Sequence, residues 1–280
     1  MTSPTGAGGG PVPPHVLAAF ALRGAPEPLP GGRGLAVRVG AAVLRPDPDA
    51  VAGAWAAGVA DRLRAPDVRL PRPLRAGDGR WVVDGWTATE HVDGLESPAD
   101  RWSEVLEAGR ALSRALAAEP PPPWLAARAD PWAVADRAAW GEAAPEPGPA
   151  AAPLVGRLLA ARGPLPALSE QLVHGDLTGN VLLPRRPGTA PTVIDLSPYR
   201  RPAAAALAVV VVDGWLWHDA GPELVDLADL GPAGPQLLLR AMLFRLLALD
   251  ALARDAPEVV AAELPRHERA ARAVLDLAGR

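Results

Sequence analysis

The run Leu172-Val173-His174-Gly175-Asp176-Leu177-Thr178-Gly179-Asn180-Val181-Leu182-Leu183 decides how the rest of the chain is read. Two short apolar, strand-like pieces flank a polar loop. The loop places a carboxylate at Asp176 and, four residues later, an amide at Asn180. A second piece, Thr192-Val193-Ile194-Asp195-Leu196, ends an apolar strand on another carboxylate, 19 residues after Asp176. Phosphoryl transfer from a nucleoside triphosphate needs groups of these kinds. A carboxylate accepts or orients the proton of the attacking hydroxyl, and an amide oxygen and a second carboxylate can hold Mg²⁺. The spacing leaves room for a hairpin that returns Asp195 beside Asn180. His174 reads as a hydrogen-bonding support for the loop; the adjacent Asp176 fits the base role better.

Working outward, the segment before this run is β-rich and the segment around it mainly helical. Leu35 to Val39 and Ala41 to Leu44 alternate around Gly40, which predicts a hairpin. Asp47 to Leu63 has helical spacing, with Asp47 or Asp49 as N-cap. Val68 to Leu74 and Trp81 to His91 read as strands around an Ala76–Gly79 turn. Helices are predicted over Pro98 to Ala118, Trp124 to Trp140 and Leu154 to Ala161, and through most of the chain from Ala203 on. Three parts follow: a disordered leader over 1–14, a β-rich part over 15–97 and a helical part over 98–280. The break falls near Val92 to Pro98.

Composition narrows the function classes. Of 280 residues, 49% are hydrophobic, enough for a sizeable core. A net charge of −4 gives no basic excess for nucleic acid or an anionic membrane surface. There is no Cys, hence no disulfide framework or thiolate metal site. The leader lacks the regions of a signal peptide. The apolar run Ala203 to Val212 is bounded by Pro202 and Asp213 and is too short to span a bilayer. A cytoplasmic protein is expected. All 28 basic residues are Arg, a usage that fits a GC-rich genome.

His174-Gly175-Asp176…Asn180 resembles the catalytic loop of the aminoglycoside phosphotransferase and choline kinase branch of the protein-kinase-like superfamily. Ile194-Asp195-Leu196 resembles the metal loop of that branch. The context from Val193 to Pro202 and from Val209 to Trp217 is similar to an actinobacterial group within it. The resemblance implies an α+β, bilobal protein-kinase-like fold with a small β-rich N-lobe, a mainly helical C-lobe, and the nucleotide between them. It implies transfer of the γ-phosphoryl group of ATP or GTP to a hydroxyl of a small molecule. Asp176 would be the base, with Asn180 and Asp195 on Mg²⁺.

By the same resemblance, Gly31, Gly32 and Gly34 stand where a phosphate-covering glycine loop falls, and Arg45 where the branch carries Lys. Arg keeps the charge in a planar fork. The helix Glu that orients this Lys has no counterpart in Asp47 to Leu63, where Asp47 and Asp49 read as caps. Trp86 to Gly94 would be the linker, with backbone around Ala88 to His91 reaching adenine and Glu90 touching ribose or solvent. Asp213 would bind backbone N–H groups of the catalytic loop or face solvent; if buried it needs a partner. His91 and His218 read as structural, and Trp124, Trp132, Trp140, Trp215 and Trp217 as core. The alternative is a nucleotide-binding pseudokinase. A protein kinase fits less well, because Ser197-Pro198-Tyr199 leads almost directly into an apolar helix. Neither the acceptor nor the oligomeric state is legible.

Overall fold

The computed structural model describes residues 12–29, 35–96, 101–186 and 188–279. Contacts divide the chain into two units, Met1–Leu95 with Leu182–Ile194, and Glu96–Val181 with Asp195–Arg280.

The first unit is built on a five-stranded antiparallel sheet. Helix α1 (Pro14–Ala19) opens on Pro14, where a missing N–H costs nothing. Strands β1 (Glu27–Pro28), β2 (Val37–Val39) and β3 (Ala42–Pro46) follow. The β2–β3 hairpin turns at Gly40, with φ of 60°. Helix α2 (Ala50–Arg62) starts behind Asp49, whose carboxylate accepts the N–H groups of Val51 and Ala52 at 3.0 Å each. Asp49 alone caps the helix. Strands β4 (Val82–Val83) and β5 (Trp86–Glu90) complete the order β1-β2-β3-β5-β4. Val16 of α1 and Phe20, which caps its C-terminus, pack on Val39, Leu44, Val83 and Trp86 of the sheet.

Two expected strands come out differently. Trp81 to His91 is two strands joined by Asp84-Gly85, with φ of 46° and 73°. An Asp-Gly pair with both φ positive is a tight hairpin turn. Val68 to Leu74 makes only isolated bridges, Arg69 to Thr192 and Pro73 to Thr89. Pro71 and Pro73 lack the N–H a ladder requires.

Strand β6 (Leu95–Glu96) precedes residues 97–100, so the expected helix start at Pro98 lies outside the described residues. The second unit is mainly helical. It holds α3 (Trp102–Leu116), a 3₁₀ turn (Pro123–Ala127), α4 (Pro131–Trp140) and α5 (Ala152–Ala161). The helix expected over Trp124 to Trp140 is therefore split. Pro131 sits in the first turn of α4, and the Asp130 carboxylate caps the Ala133 N–H at 3.1 Å. Next come β7 (Glu170–His174), β8 (Val181–Leu183), β9 (Thr192–Val193) and β10 (Pro198–Pro202). The excursion Leu182–Ile194, with β9, groups with the first unit. Helices α6 (Ala203–Trp217), α7 (Glu223–Ala228), α8 (Gly234–Leu252) and α9 (Pro257–Ala278) complete the chain. Helix α8 is central and packs on α4, α5, α6 and α9. It buries the charged side chains of Arg240, Arg245 and Asp250 among its leucines. No helix among the described residues is long and apolar enough to cross a membrane.

Candidate active site

The catalytic-loop candidate hangs from a two-stranded ribbon in the second unit. Strand β10 pairs antiparallel with β7, from Pro198 opposite His174 to Pro202 opposite Glu170. The Gly175 N–H continues the ladder to the Ser197 carbonyl at 2.9 Å. Arg128 holds the far side, donating from Nη1 to the Pro198 carbonyl at 3.0 Å. The Tyr199 ring lies close against Gly175; a Cβ there would sit 2.3 Å from Tyr199 Cδ2. A glycine is therefore required between His174 and Asp176. Burial pushes the Tyr199 phenol up to about 12, so it stays neutral.

Beyond the ribbon the loop is tied to itself. The Asp176 N–H donates to His174 Nδ1 at 3.0 Å. His174 is 1% exposed, so it shapes the loop and is not open to a reacting hydroxyl. Asn180 Nδ2 donates to the Asp176 carbonyl at 2.7 Å and reaches Asp176 Oδ2 at 3.3 Å. That leaves the amide oxygen of Asn180 for another ligand.

The sequence reading missed one residue here. Arg245 of α8 donates from Nη2 to Asp176 Oδ1 at 2.7 Å. Its Nε and Nη2 also grip Asp213 of α6, at 2.7 Å to Oδ1 and 2.6 Å to Oδ2. The Arg245 side chain is 3% exposed, Asp213 2% and Asp176 49%. One guanidinium thus links a buried carboxylate to a half-exposed one. The two carboxylates hold Arg245 charged and raise its pKa; burial pushes the Asp213 carboxyl up, and the guanidinium opposes that push. Trp132, Trp217 and Phe244 place ring centroids 5.7, 5.9 and 5.1 Å from the guanidinium carbon. Asp213 is neither solvent-facing nor bound to backbone N–H groups; it takes Arg245. A signal was present: an Asp alone in the apolar helix α6, and an Arg among the leucines of α8, must each find a partner.

Asp195 is exposed and has a φ of 56°. Asp tolerates this left-handed conformation better than most residues, at a cost of order 1 kcal/mol. It follows buried Val193 by two residues and precedes Ser197 by two, at the start of the segment that becomes β10. Among the described residues no three His, Asp or Glu side chains are grouped to hold a metal ion. Asn180 and Asp195 are hard oxygen donors, few in number. That set fits a Mg²⁺ ion completed by phosphate and water better than an all-protein cage.

In the first unit, Arg45 sits on β3 opposite Thr87, whose hydroxyl donates to the Arg45 carbonyl at 3.3 Å. Burial lowers the Arg45 pKa and the Asp47 charge opposes this. Asp47 does not cap α2. Its carboxylate accepts the Asp49 N–H at 3.1 Å and lies against Gly53, where a Cβ would sit 2.6 Å from Oδ2. Asp47 is thus the acidic neighbour of Arg45, two residues along the same chain segment. Glu90 Oε1 is taken by Arg69 Nη2 at 2.7 Å and the Arg72 N–H at 3.1 Å. The N–H groups of Glu90 and His91 donate to Arg72 and Ala41 carbonyls at 2.8 and 2.7 Å. Those donors are committed inside the unit. Gly31, Gly32 and Gly34 lie outside the described residues.

An antiparallel sheet unit, a helical unit and an Asp-to-Asn loop on a β ribbon define an α+β protein-kinase-like fold, of the aminoglycoside phosphotransferase and choline kinase type. Three solved structures illustrate the likeness. The microcompartment-associated aminopropanol kinase matches with a TM-score of 0.60 and 17% identity over 95% of each chain. A choline/ethanolamine kinase family protein from Mesorhizobium loti matches at 0.59 and 22%, over 94% of this chain and 91% of that one. A thermostable mutant of aminoglycoside phosphotransferase APH(4)-Ia, in ternary complex with AMP-PNP and hygromycin B, matches at 0.61 and 17%, over 94% and 98%. No family model matches the chain, and no curated protein sequence does.

Proposed function

We propose that this protein transfers the γ-phosphoryl group of ATP or GTP to a hydroxyl of a small molecule. The observation that carries the reading is the Asp176 carboxylate. It is half exposed, with Oδ1 held by Arg245 and Oδ2 within reach of Asn180. A half-exposed carboxylate held firmly at one oxygen and only weakly at the other suits a group that orients a hydroxyl and takes its proton. Arg245 and His174 position it. Asn180 Oδ1 and the Asp195 carboxylate would hold Mg²⁺, which when bound neutralises charge on the donor phosphates. Arg45, with Asp47 beside it, would hold a donor phosphate, and Gly31, Gly32 and Gly34 would cover the phosphates. Because the Glu90 and His91 N–H groups are committed, adenine would be met by the backbone from Val92 to Gly94. The acceptor is a small-molecule alcohol, and a cytoplasmic location agrees with that role.

A second reading, a nucleotide-binding pseudokinase, is favoured by Arg45 in the Lys position. The test is ATP or GTP consumption with Mg²⁺ in the presence of a pooled metabolite extract, read as a mass gain of one phosphoryl group on an acceptor. The enzyme reading expects turnover that Asp176→Asn removes. Nucleotide binding with no turnover on any pool would favour the pseudokinase.

A further inference from the structure

Behind the catalytic-loop candidate, Tyr199 and Phe244 close a circuit of contacts with Asp176. Tyr199 stands on β10 opposite Val173, and its ring reaches past that pair to Gly175. The Cδ2–Cε2 edge of the ring fills the place where a side chain on residue 175 would begin: an added Cβ would sit 2.3 and 2.4 Å from those two atoms. The same ring meets Phe244 of α8 edge-on, with centroids 5.6 Å apart and planes at 70°. Phe244 precedes Arg245 in the helix, and its ring centroid lies 5.1 Å from the Arg245 guanidinium carbon. Arg245 donates to Asp176 Oδ1 at 2.7 Å, and Asp176 follows Gly175. The circuit thus runs from Tyr199 through Gly175, Asp176, Arg245 and Phe244, and back to Tyr199.

The ring is also held from outside this circuit. The Arg128 guanidinium carbon lies 5.1 Å from the Tyr199 centroid, and Arg128 donates to the carbonyl of Pro198, the residue before Tyr199. Tyr199 is 7% exposed and Phe244 5%. A rigid ring in close-packed surroundings passes a displacement on to its neighbours instead of absorbing it. The other end of the loop has its own anchor. The Asn180 N–H closes a turn onto the Leu177 carbonyl at 2.9 Å, and buried Leu177 packs on Gly109 of α3, where a Cβ would sit 2.6 Å from Leu177 Cδ1. A change at Tyr199 therefore reaches Asp176 before it reaches Asn180.

We propose that Tyr199 is a positioning residue for Asp176: its ring sets the separation of Gly175 from Phe244, and with it the reach of Arg245 to Asp176 Oδ1. The proposal rests on the reading of Asp176 as the group that takes the acceptor hydroxyl's proton. The planar ring carries the role and the phenol oxygen does not.

Two variants of the full chain test this. Tyr199→Phe keeps the ring, and Tyr199→Met keeps most of the apolar volume on a flexible stem. Turnover is measured with Mg²⁺, ATP and the pooled metabolite extract. Tyr199→Phe should hold kcat within about threefold of native. Tyr199→Met should lower kcat on the order of a hundredfold, the loss expected for a reacting group displaced by about 1 Å, with KM for ATP changed less than about threefold. A native kcat in Tyr199→Met, or an equal loss in Tyr199→Phe, overturns the proposal. A second measurement needs no turnover. Urea midpoints are compared for Tyr199→Met, Asp176→Asn and the double variant. If the ring sets the Asp176–Arg245 contact, Asp176→Asn should shift the midpoint less than half as far in the Tyr199→Met background as in the native one. Additive shifts overturn the proposal. Should Tyr199→Met fail to fold, Tyr199→His, with a smaller ring, replaces it in both measurements. A native protein that binds ATP without turnover on any pool overturns the phosphoryl-transfer reading alone, and the urea cycle still decides whether Tyr199 holds Asp176 to Arg245.

Discussion

At the scale of single residues, Arg245 organises the candidate site. It pairs with Asp213 and fixes one oxygen of Asp176. Arg245→Met should leave Asp213 as an uncompensated buried charge and cost about 3–5 kcal/mol of stability. Adding Asp213→Leu should restore most of that stability, because an apolar pair replaces a buried ion pair. Turnover should not return with it. Asp176 would have lost its Oδ1 anchor, and a misplaced base costs on the order of a hundredfold in rate. Chemical denaturation and steady-state kinetics on the single and double variants separate the two effects. Equal recovery of stability and turnover would reduce Arg245 to a fold residue. Gly175 makes a sharper steric claim. Gly175→Ala drives a methyl into the Tyr199 ring and should destabilise by roughly 1–3 kcal/mol. Combining it with Tyr199→Ala should show strong coupling, since the two residues share one contact.

Among the elements, α9 carries a titrating group with a definite pH consequence. His267 is fully buried, its Nδ1 bonds the Glu263 carbonyl at 3.0 Å, and its Nε2 has no partner. Burial lowers its pKa below the ordinary 6.5. The folded state therefore keeps the ring neutral while the unfolded chain gains a proton below about pH 6.5. The unfolded state then binds more protons, so this contribution to stability is complete above about 6.5 and declines as pH falls below it. The slope from one histidine is at most about 1.4 kcal/mol per pH unit. Urea unfolding from pH 7.5 to 5 should show the decline in the native protein and a shallower one in His267→Leu. The elements also mark what a sequence can reveal. The β2–β3 hairpin and the Asp49 cap are legible because each depends on neighbours in the chain. The Asp84-Gly85 turn is equally local, but the β-prone residues on both sides of it read as one continuous strand. The β7–β10 ribbon was harder: Pro198-Tyr199-Arg200-Arg201-Pro202 has two prolines and two charges, and becomes a strand because β7 offers it a register. Arg245 lies 69 residues from Asp176, a pairing that no local pattern encodes.

Over the whole molecule, the absence of Lys has a structural counterpart whatever its genomic cause. Arg128, Arg201, Arg240 and Arg245 each sit near an aromatic face in the second unit, and three of them are buried. A planar, weakly hydrated guanidinium can bind two acceptors and a ring at once; a compact ammonium cannot. A ligand bound only by the folded chain adds to its stability by mass action. The proposed nucleotide site therefore predicts a global readout. Mg²⁺ with ATP, at about a hundredfold over its Kd, should stabilise the folded chain by about 2.7 kcal/mol and raise Tm by several degrees. Asp176→Asn should keep this shift, because it removes the base and leaves the metal ligands in place. Asp195→Ala should lose the part of the shift that depends on Mg²⁺. Arg45→Ala should weaken the shift through loss of a charge-assisted hydrogen bond to phosphate, at about 1–3 kcal/mol. Arg45→Lys then divides the two functional readings. A sharp gain in turnover would mark the natural protein as a weakened kinase or pseudokinase, and a loss would mean the phosphate grip is built around Arg45 and Asp47. A Tm shift equal with and without Mg²⁺, and unchanged in Asp195→Ala and Arg45→Ala, would remove both residues from the nucleotide site.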